Sequence, residues 1–204
     1  MSFYQRRILP HLINLAMRNR DLLPYRRRLI SAAEGRTLEI GIGSGLNLPF
    51  YPREVREIIG LDPSPELLAM TRQAADQISS PVTLLDASAE AIPLDDRSVD
   101  TVITTWTLCS IPGAFQALSE MRRVLKPGGH LLFVEHGRAP DASIRKWQDW
   151  LTPAWKRIGG GCHLNRPIQT MIESAGYQFT ELETGYIKGP NPMTYLYHGR
   201  AKPI

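Results

Sequence analysis

From Arg36 onward, short apolar runs alternate with stretches whose hydrophobic residues recur every three or four positions. That alternation is the pattern of parallel strands joined by crossover helices. It predicts strands at Thr37 to Ile40, Glu57 to Leu61, Val82 to Leu85, Val99 to Thr104 and His130 to Glu135. Between the second and third, Ser64 is a helix cap ahead of Pro65 and Glu66, with Leu67, Met70, Ala74 and Ile78 on one face. Before the fifth, Phe115, Leu118, Met121 and Leu125 form an apolar stripe, closed by Pro127, Gly128 and Gly129 as a helix stop.

The flanks read differently. Two short amphipathic helices open the chain, one carrying Leu12, Ile13, Leu15, Ala16 and Met17 after Pro10, the other starting at Pro24. A tryptophan-rich stretch from Ile144 to Ile158 and a helix from Pro167 to Ala175, ended by Gly176, precede alternating segments at Tyr177 to Leu182 and Met193 to Gly199. Those two segments pair antiparallel at the sheet edge. The expected fold is therefore α/β: a doubly wound sheet of seven strands, five parallel plus an antiparallel edge pair, with helices on both faces. Residues 1–35 form a helical lead-in or lid, and residues 36–204 the main body of one structural domain.

Composition narrows the partners. At 204 residues, 43% hydrophobic and 22% charged, the chain is long enough for one core and wrong for disorder, collagen or a membrane bundle. The net charge of +4 is uneven, because residues 1–36 hold eight Arg against only Asp21 and Glu34. Such a segment reads as a solvated helix face or as a contact with an anionic surface such as lipid. Cys109 and Cys162 are too few for a disulfide framework, no signal peptide opens the chain, and no apolar run reaches eighteen residues. A reducing cytoplasm is the expected location.

The strongest chemical signal is the turn Glu39-Ile40-Gly41-Ile42-Gly43-Ser44-Gly45 directly after the first strand. Glycine allows positive φ and close approach of backbone to a ligand, so this turn suits a nucleoside-like cofactor at the strand's carboxyl end. Glu39 is placed to hold a cationic group. Asp62 ends the second strand, where a carboxylate accepts ribose hydroxyls, and Asp86 with Ala87 ends the third, where an adenine edge would lie. A dinucleotide site competes as a reading, but Leu46 stands where its third glycine belongs.

These residues, with Leu61-Asp62-Pro63-Ser64, Asp86 to Pro93 and Leu125-Lys126-Pro127-Gly128-Gly129, resemble class I S-adenosylmethionine-dependent methyltransferases over residues 36 to 136. The resemblance implies S-adenosylmethionine as cofactor and S-adenosylhomocysteine as product. It implies that Gly41, Gly43 and Gly45 line the methionine part, Asp62 holds the ribose, and Asp86 with Ala87 contacts adenine. Glu39, Asn47, Pro63, Ser64, Ser88 and Thr105 complete the expected cofactor set. Leu108-Cys109-Ser110-Ile111, Val134-Glu135-His136, the Trp150 to Trp155 stretch, Gly160-Gly161-Cys162 and Tyr197-His198-Gly199 further resemble the alkyl-thiol methyltransferases of the animal methyltransferase-like group and their bacterial relatives. Those animal enzymes are membrane-associated through an apolar N-terminal helix, whereas this N-terminus is shorter and Arg-rich.

Methyl transfer from a sulfonium is an in-line displacement, so the protein's task is to align and desolvate a small, fairly apolar acceptor. A thiol is favoured, with a lipid amine or a quinone ring as competitors, and a non-catalytic nucleoside-binding module as the alternative on the same fold. A thiol needs only mild help to ionise. His136, after the fifth strand, is the candidate base with Glu135 as orienting partner, and His163 is the alternative. Trp147, Trp150, Trp155 and Tyr186 are candidate walls of the acceptor pocket. Arg145, Lys146, Lys156 and Arg157 interleave with the tryptophans, but no stacking-sheet motif accompanies them, which speaks against nucleic acid. Cys109, Cys162, His136 and His163 are metal-binding types, yet neither Cys-x-x-Cys nor paired histidines are present, so no metal is expected.

Overall fold

The computed structural model describes residues 3–204. Strands β1 (Gly35–Ile40), β2 (Val55–Leu61), β3 (Val82–Leu85), β4 (Val99–Thr105) and β5 (Leu125–His136) lie in the order β3-β2-β1-β4-β5, all parallel. β7 (Tyr195–Pro203) pairs antiparallel with β5, and β6 (Tyr177–Tyr186) antiparallel with β7, completing the expected seven-stranded sheet. The chain order reverses direction between β1 and β4. That switch point puts a crevice over the carboxyl ends of the central strands.

Alternation along β5 shows how the two faces divide. Leu131 and Phe133 enter a core with Leu38, Ile59 and Val102, covered by helices α4 (Ala114–Val124) and α6 (Ile168–Ser174). Leu132 and Val134 enter a second core with Ile58 and Ile103, covered by α2 (Leu23–Ile30) and α3 (Pro65–Ala75). Leu29 and Ile30 of α2 are buried there, so the lead-in is part of the packed body. Helix α1 (Leu9–Met17) leaves Leu12 and Leu15 exposed, and α5 (Ala142–Ile158) lies beyond the end of β5.

The structure departs from the sequence reading in the face of one helix and in several element ends. The stripe of α4 is Ala114, Ala117, Leu118, Met121 and Val124, while Phe115 faces solvent. Leu125 is already in β5, paired with Val99, so the helix stops before Pro127 because strand pairing takes the chain first. Met193 lies in a helical turn, α7 (Asn191–Thr194), and the last strand starts at Tyr195. Among the described residues no helix is long and apolar enough to cross a membrane.

Candidate active site

The glycine turn is fixed from three sides. The N–H groups of Gly41 and Ile42 both donate to the Leu61 carbonyl, at 2.8 and 3.2 Å, locking the turn to the end of β2. Asp62 accepts from the Gly43 N–H through Oδ2 (3.0 Å) and from the Ser64 N–H through Oδ1 (2.9 Å). Ser64 caps α3 by accepting from Leu67 N–H, as its sequence context predicts, and Thr71 Oγ1 on that helix donates to the Gly43 carbonyl at 2.5 Å. The glycines play different parts. A Cβ on Gly41 would stand 2.4 Å from Thr107, whereas at Gly43, at φ +60°, the nearest heavy atom to an added Cβ among the described residues beyond its chain neighbours is the Gly41 carbonyl oxygen at 3.8 Å. Gly43 is therefore the position where backbone lies open to a ligand, and Gly45 packs inward against Leu48.

Burial pushes the Asp62 carboxyl up to about 6, with the Ser64 and Gly43 N–H groups pulling back and Asp86 adding repulsion. Asp86 is exposed at the end of β3, next to half-buried Ala87 and Ser88; Pro63 is exposed beside Asp62. Leu61 pairs with Leu85, which brings the two aspartates to adjacent strand ends.

Deeper in the crevice, Glu39 is wholly buried and accepts from Asn47 Nδ2 (2.6 Å) and Tyr51 OH (2.7 Å). Asn47 Nδ2 also donates to Thr105 Oγ1 (3.1 Å), and Arg26 Nη1 donates to Asn47 Oδ1 (2.5 Å) while lying 5.0 Å over the Trp106 ring. Burial raises Glu39 to about 7 against the pull of Tyr51, Asn47 and Arg26. Arg26, Tyr51 and Trp106 were absent from the sequence-derived set. Arg26 is one of three consecutive arginines, and nothing in their spacing marks which one turns inward. Trp106, at φ +51° just past β4, is strained in a way that only coordinates reveal.

At the ends of β4 and β5 the expected pairing of Glu135 with His136 is not formed. Glu135 Oε1 accepts from Thr104 Oγ1 (2.7 Å), Thr107 N–H (3.0 Å) and Leu108 N–H (3.1 Å), holding the loop after β4. Neighbours on one strand point to opposite faces, so Glu135 cannot orient His136. His136 Nε2 instead lies 3.1 Å from Cys162 Sγ, and Cys109 Sγ completes a cluster whose ligand-type atoms are all within 4.8 Å of one another. Sequence spacing spoke against such a meeting, yet loops after two neighbouring strands produce it. Burial opposes charge on His136, but Cys109 outweighs this and holds the imidazole above its ordinary value. His163 is tied through N–H and Nδ1 to the Cys109 carbonyl, at 2.9 and 3.1 Å.

The aromatic wall is smaller than the sequence suggested. Trp147 and Trp150 are 55% and 70% exposed, stacked edge to face on each other. Tyr186 is also exposed, donating to Asp141. Trp155 alone turns inward, onto Cys109, Cys162 and Leu164.

The sheet order and the glycine turn flanked by strand-end carboxylates define a class, the S-adenosylmethionine-dependent methyltransferases. A family model for a methyltransferase domain matches residues 38–133. The chain is 35% identical to human thiol S-methyltransferase TMT1B over 190 residues, 87% of this chain and 76% of that protein. It is 34% identical to the phosphatidylethanolamine N-methyltransferase of Cereibacter sphaeroides over 57% of this chain and 60% of that one. It spans 63% to 76% of the human thiol methyltransferases it matches. The N-methyltransferase NodS from Bradyrhizobium japonicum, solved with S-adenosyl-L-homocysteine, shares the fold at a TM-score of 0.69 and 17% identity, covering 91% of this chain and 89% of that one. The chain belongs to the S-adenosylmethionine-dependent methyltransferase family that includes the thiol S-methyltransferases.

Proposed function

We propose that this protein methylates a small, fairly apolar acceptor, with a thiol as the favoured nucleophile. Bound S-adenosylmethionine supplies an electrophilic methyl on a sulfonium. On this reading Gly43 and its neighbours in the turn take the methionine part, Asp62 accepts the ribose hydroxyls, and Asp86 with Ala87 and Ser88 receives the adenine. The buried Glu39, steadied by Asn47 and Tyr51, favours the cofactor's positive charge. The observation that carries the thiol reading is the Cys109–His136–Cys162 cluster, packed with Leu151, Trp155 and Leu164 and two residues along the chain from Thr107, which closes on Gly41 of the glycine turn. The likeness to thiol S-methyltransferases supports it.

The test is incubation with radiolabelled cofactor and a panel of thiols, amines and phenols. Transfer to thiols above the others is expected; preferred transfer to a phospholipid amine or a quinol would replace the reading, and binding without turnover would favour a nucleoside-sensing module. The two free cysteines suit a reducing cytoplasm. Exposed Leu12 and Leu15 beside the arginine-rich lead-in suit peripheral contact with an anionic lipid surface.

A further inference from the structure

We propose that Cys109, His136 and Cys162 form a three-ligand site for a zinc-type ion, and that the acceptor's sulfur takes the ion's fourth position. The second half of this proposal rests on the thiol reading above.

The three residues come from the loop after β4, the end of β5 and the loop after α5. Their Sγ, imidazole nitrogen and Sγ atoms lie within 4.8 Å of one another, and the His136 Nε2 to Cys162 Sγ distance is 3.1 Å. Ligands at about 2.0–2.3 Å from a tetrahedral zinc stand roughly 3.5–3.8 Å apart, so shifts of a few tenths of an ångström to an ångström close the site. Both cysteines are buried and unpaired, so neither thiol is committed to a disulfide.

Charge and hydrogen bonding favour the same conclusion. Two thiolates and a neutral imidazole around a divalent ion sum to zero, the net charge that tolerates burial. Without an ion, the imidazole's hydrogen-bond contact among the described residues is a thiol, His136 Nε2 to Cys162 Sγ. A structural histidine at a strand end is normally held by a carbonyl or carboxylate.

Three protein ligands are the pattern of a zinc site that keeps a position for substrate. The cluster adjoins the cofactor rim, because Thr107, which closes on Gly41, is two residues from Cys109. An acceptor thiol entering the fourth position loses its proton to bulk water as its sulfur binds the ion. The sulfur then forms a bond to the methyl carbon as the cofactor's sulfonium carbon–sulfur bond breaks, its electron pair staying on the cofactor sulfur. The products are two neutral thioethers, weaker ligands than a thiolate. The extra negative charge of the bound thiolate is met by buried Arg166, whose guanidinium donates to the Leu108 carbonyl next to Cys109.

The site is tested on protein purified without chelator, by measuring its zinc content and then titrating the metal-free form with Co²⁺ alone. About one zinc per chain is expected, and cobalt should produce a sulfur-to-metal charge-transfer band with the visible bands of tetrahedral coordination, shifting on addition of ethanethiol. Cys162→Ser and His136→Ala are expected to weaken cobalt binding by at least ~100-fold while S-adenosylhomocysteine affinity, which reports a folded rim, is kept. Wild-type protein with neither stoichiometric zinc nor the charge-transfer band overturns the site, as does a Cys109–Cys162 disulfide in protein kept reduced. Equal methylation of ethanethiol by metal-free and zinc-loaded protein overturns the ion's role and leaves the thiol reading standing. A cobalt band with no thiol methylated supports the site and overturns its acceptor half together with the thiol reading.

Discussion

Asp62→Asn separates cofactor binding from folding. In the wild type both carboxylate oxygens accept backbone N–H groups, from Gly43 at 3.0 Å and Ser64 at 2.9 Å. An amide keeps one acceptor and turns its NH2 toward the other donor, so one charge-assisted hydrogen bond is lost, worth about 1.5–3 kcal/mol. The loss falls on the turn that positions Gly43, and the ribose-facing acceptor is weakened with it. At about 1.4 kcal/mol per factor of ten, S-adenosylhomocysteine should bind roughly 10–100-fold more weakly. Folding should suffer less, because burial already opposes the Asp62 charge and the neutral amide escapes that cost. Isothermal titration near pH ~8, where the carboxylate is ionised, paired with thermal melts, reads both quantities. A dissociation constant within about twofold of wild type would show that Asp62 does not hold the cofactor.

Other outcomes follow from the same geometry. Gly43→Ala should fold at a cost of about 1–2 kcal/mol for its left-handed backbone yet bind cofactor poorly, while Gly41→Ala, with Thr107 2.4 Å from the new Cβ, should show the larger loss of Tm; equal melting points would contradict this division. Glu39 is raised by burial to about 7, so the folded state holds its proton more tightly than the unfolded one. Wild type should therefore lose stability relative to Glu39→Gln, by on the order of 2–3 kcal/mol, as pH rises from ~4.5 through ~7, and a pH-independent difference in urea melts would refute the burial argument. Leu118→Ala removes a fully buried contact of α4 and should cost about 2–5 kcal/mol by denaturant titration, against less than about 0.5 for a surface site. Trp150→Ala, at a 70% exposed position, should leave the acceptor KM unchanged; a large rise would restore Trp150 to the acceptor pocket.

The strands from β1 to β5 were legible because buried parallel strands must be continuous apolar runs, and α3 because Ser64, Pro65 and Glu66 announce its start. The glycine turn and the aspartates at 62 and 86 were legible because each sits at a strand end in chain order, and parallel strands bring such ends to one rim. The phase of α4 was not: Phe115 and Leu118 look equivalent in sequence, and only packing against the sheet leaves Phe115 in solvent. Nor were the partners of buried groups. Glu135 and His136 are neighbours in sequence that the pleat sends to opposite faces, while Cys109, His136 and Cys162 are far apart in sequence and meet in space.

By itself, then, the sequence determined the class of fold, the strand ends that form the rim and the kind of cofactor they suit, since local periodicity and turn chemistry act within a few residues. Tertiary structure alone decided which arginine of the lead-in reaches Asn47, which tryptophan turns inward and which cysteines face His136. Those choices depend on contacts between residues 20 to 60 positions apart, where spacing along the chain carries no information about distance in space.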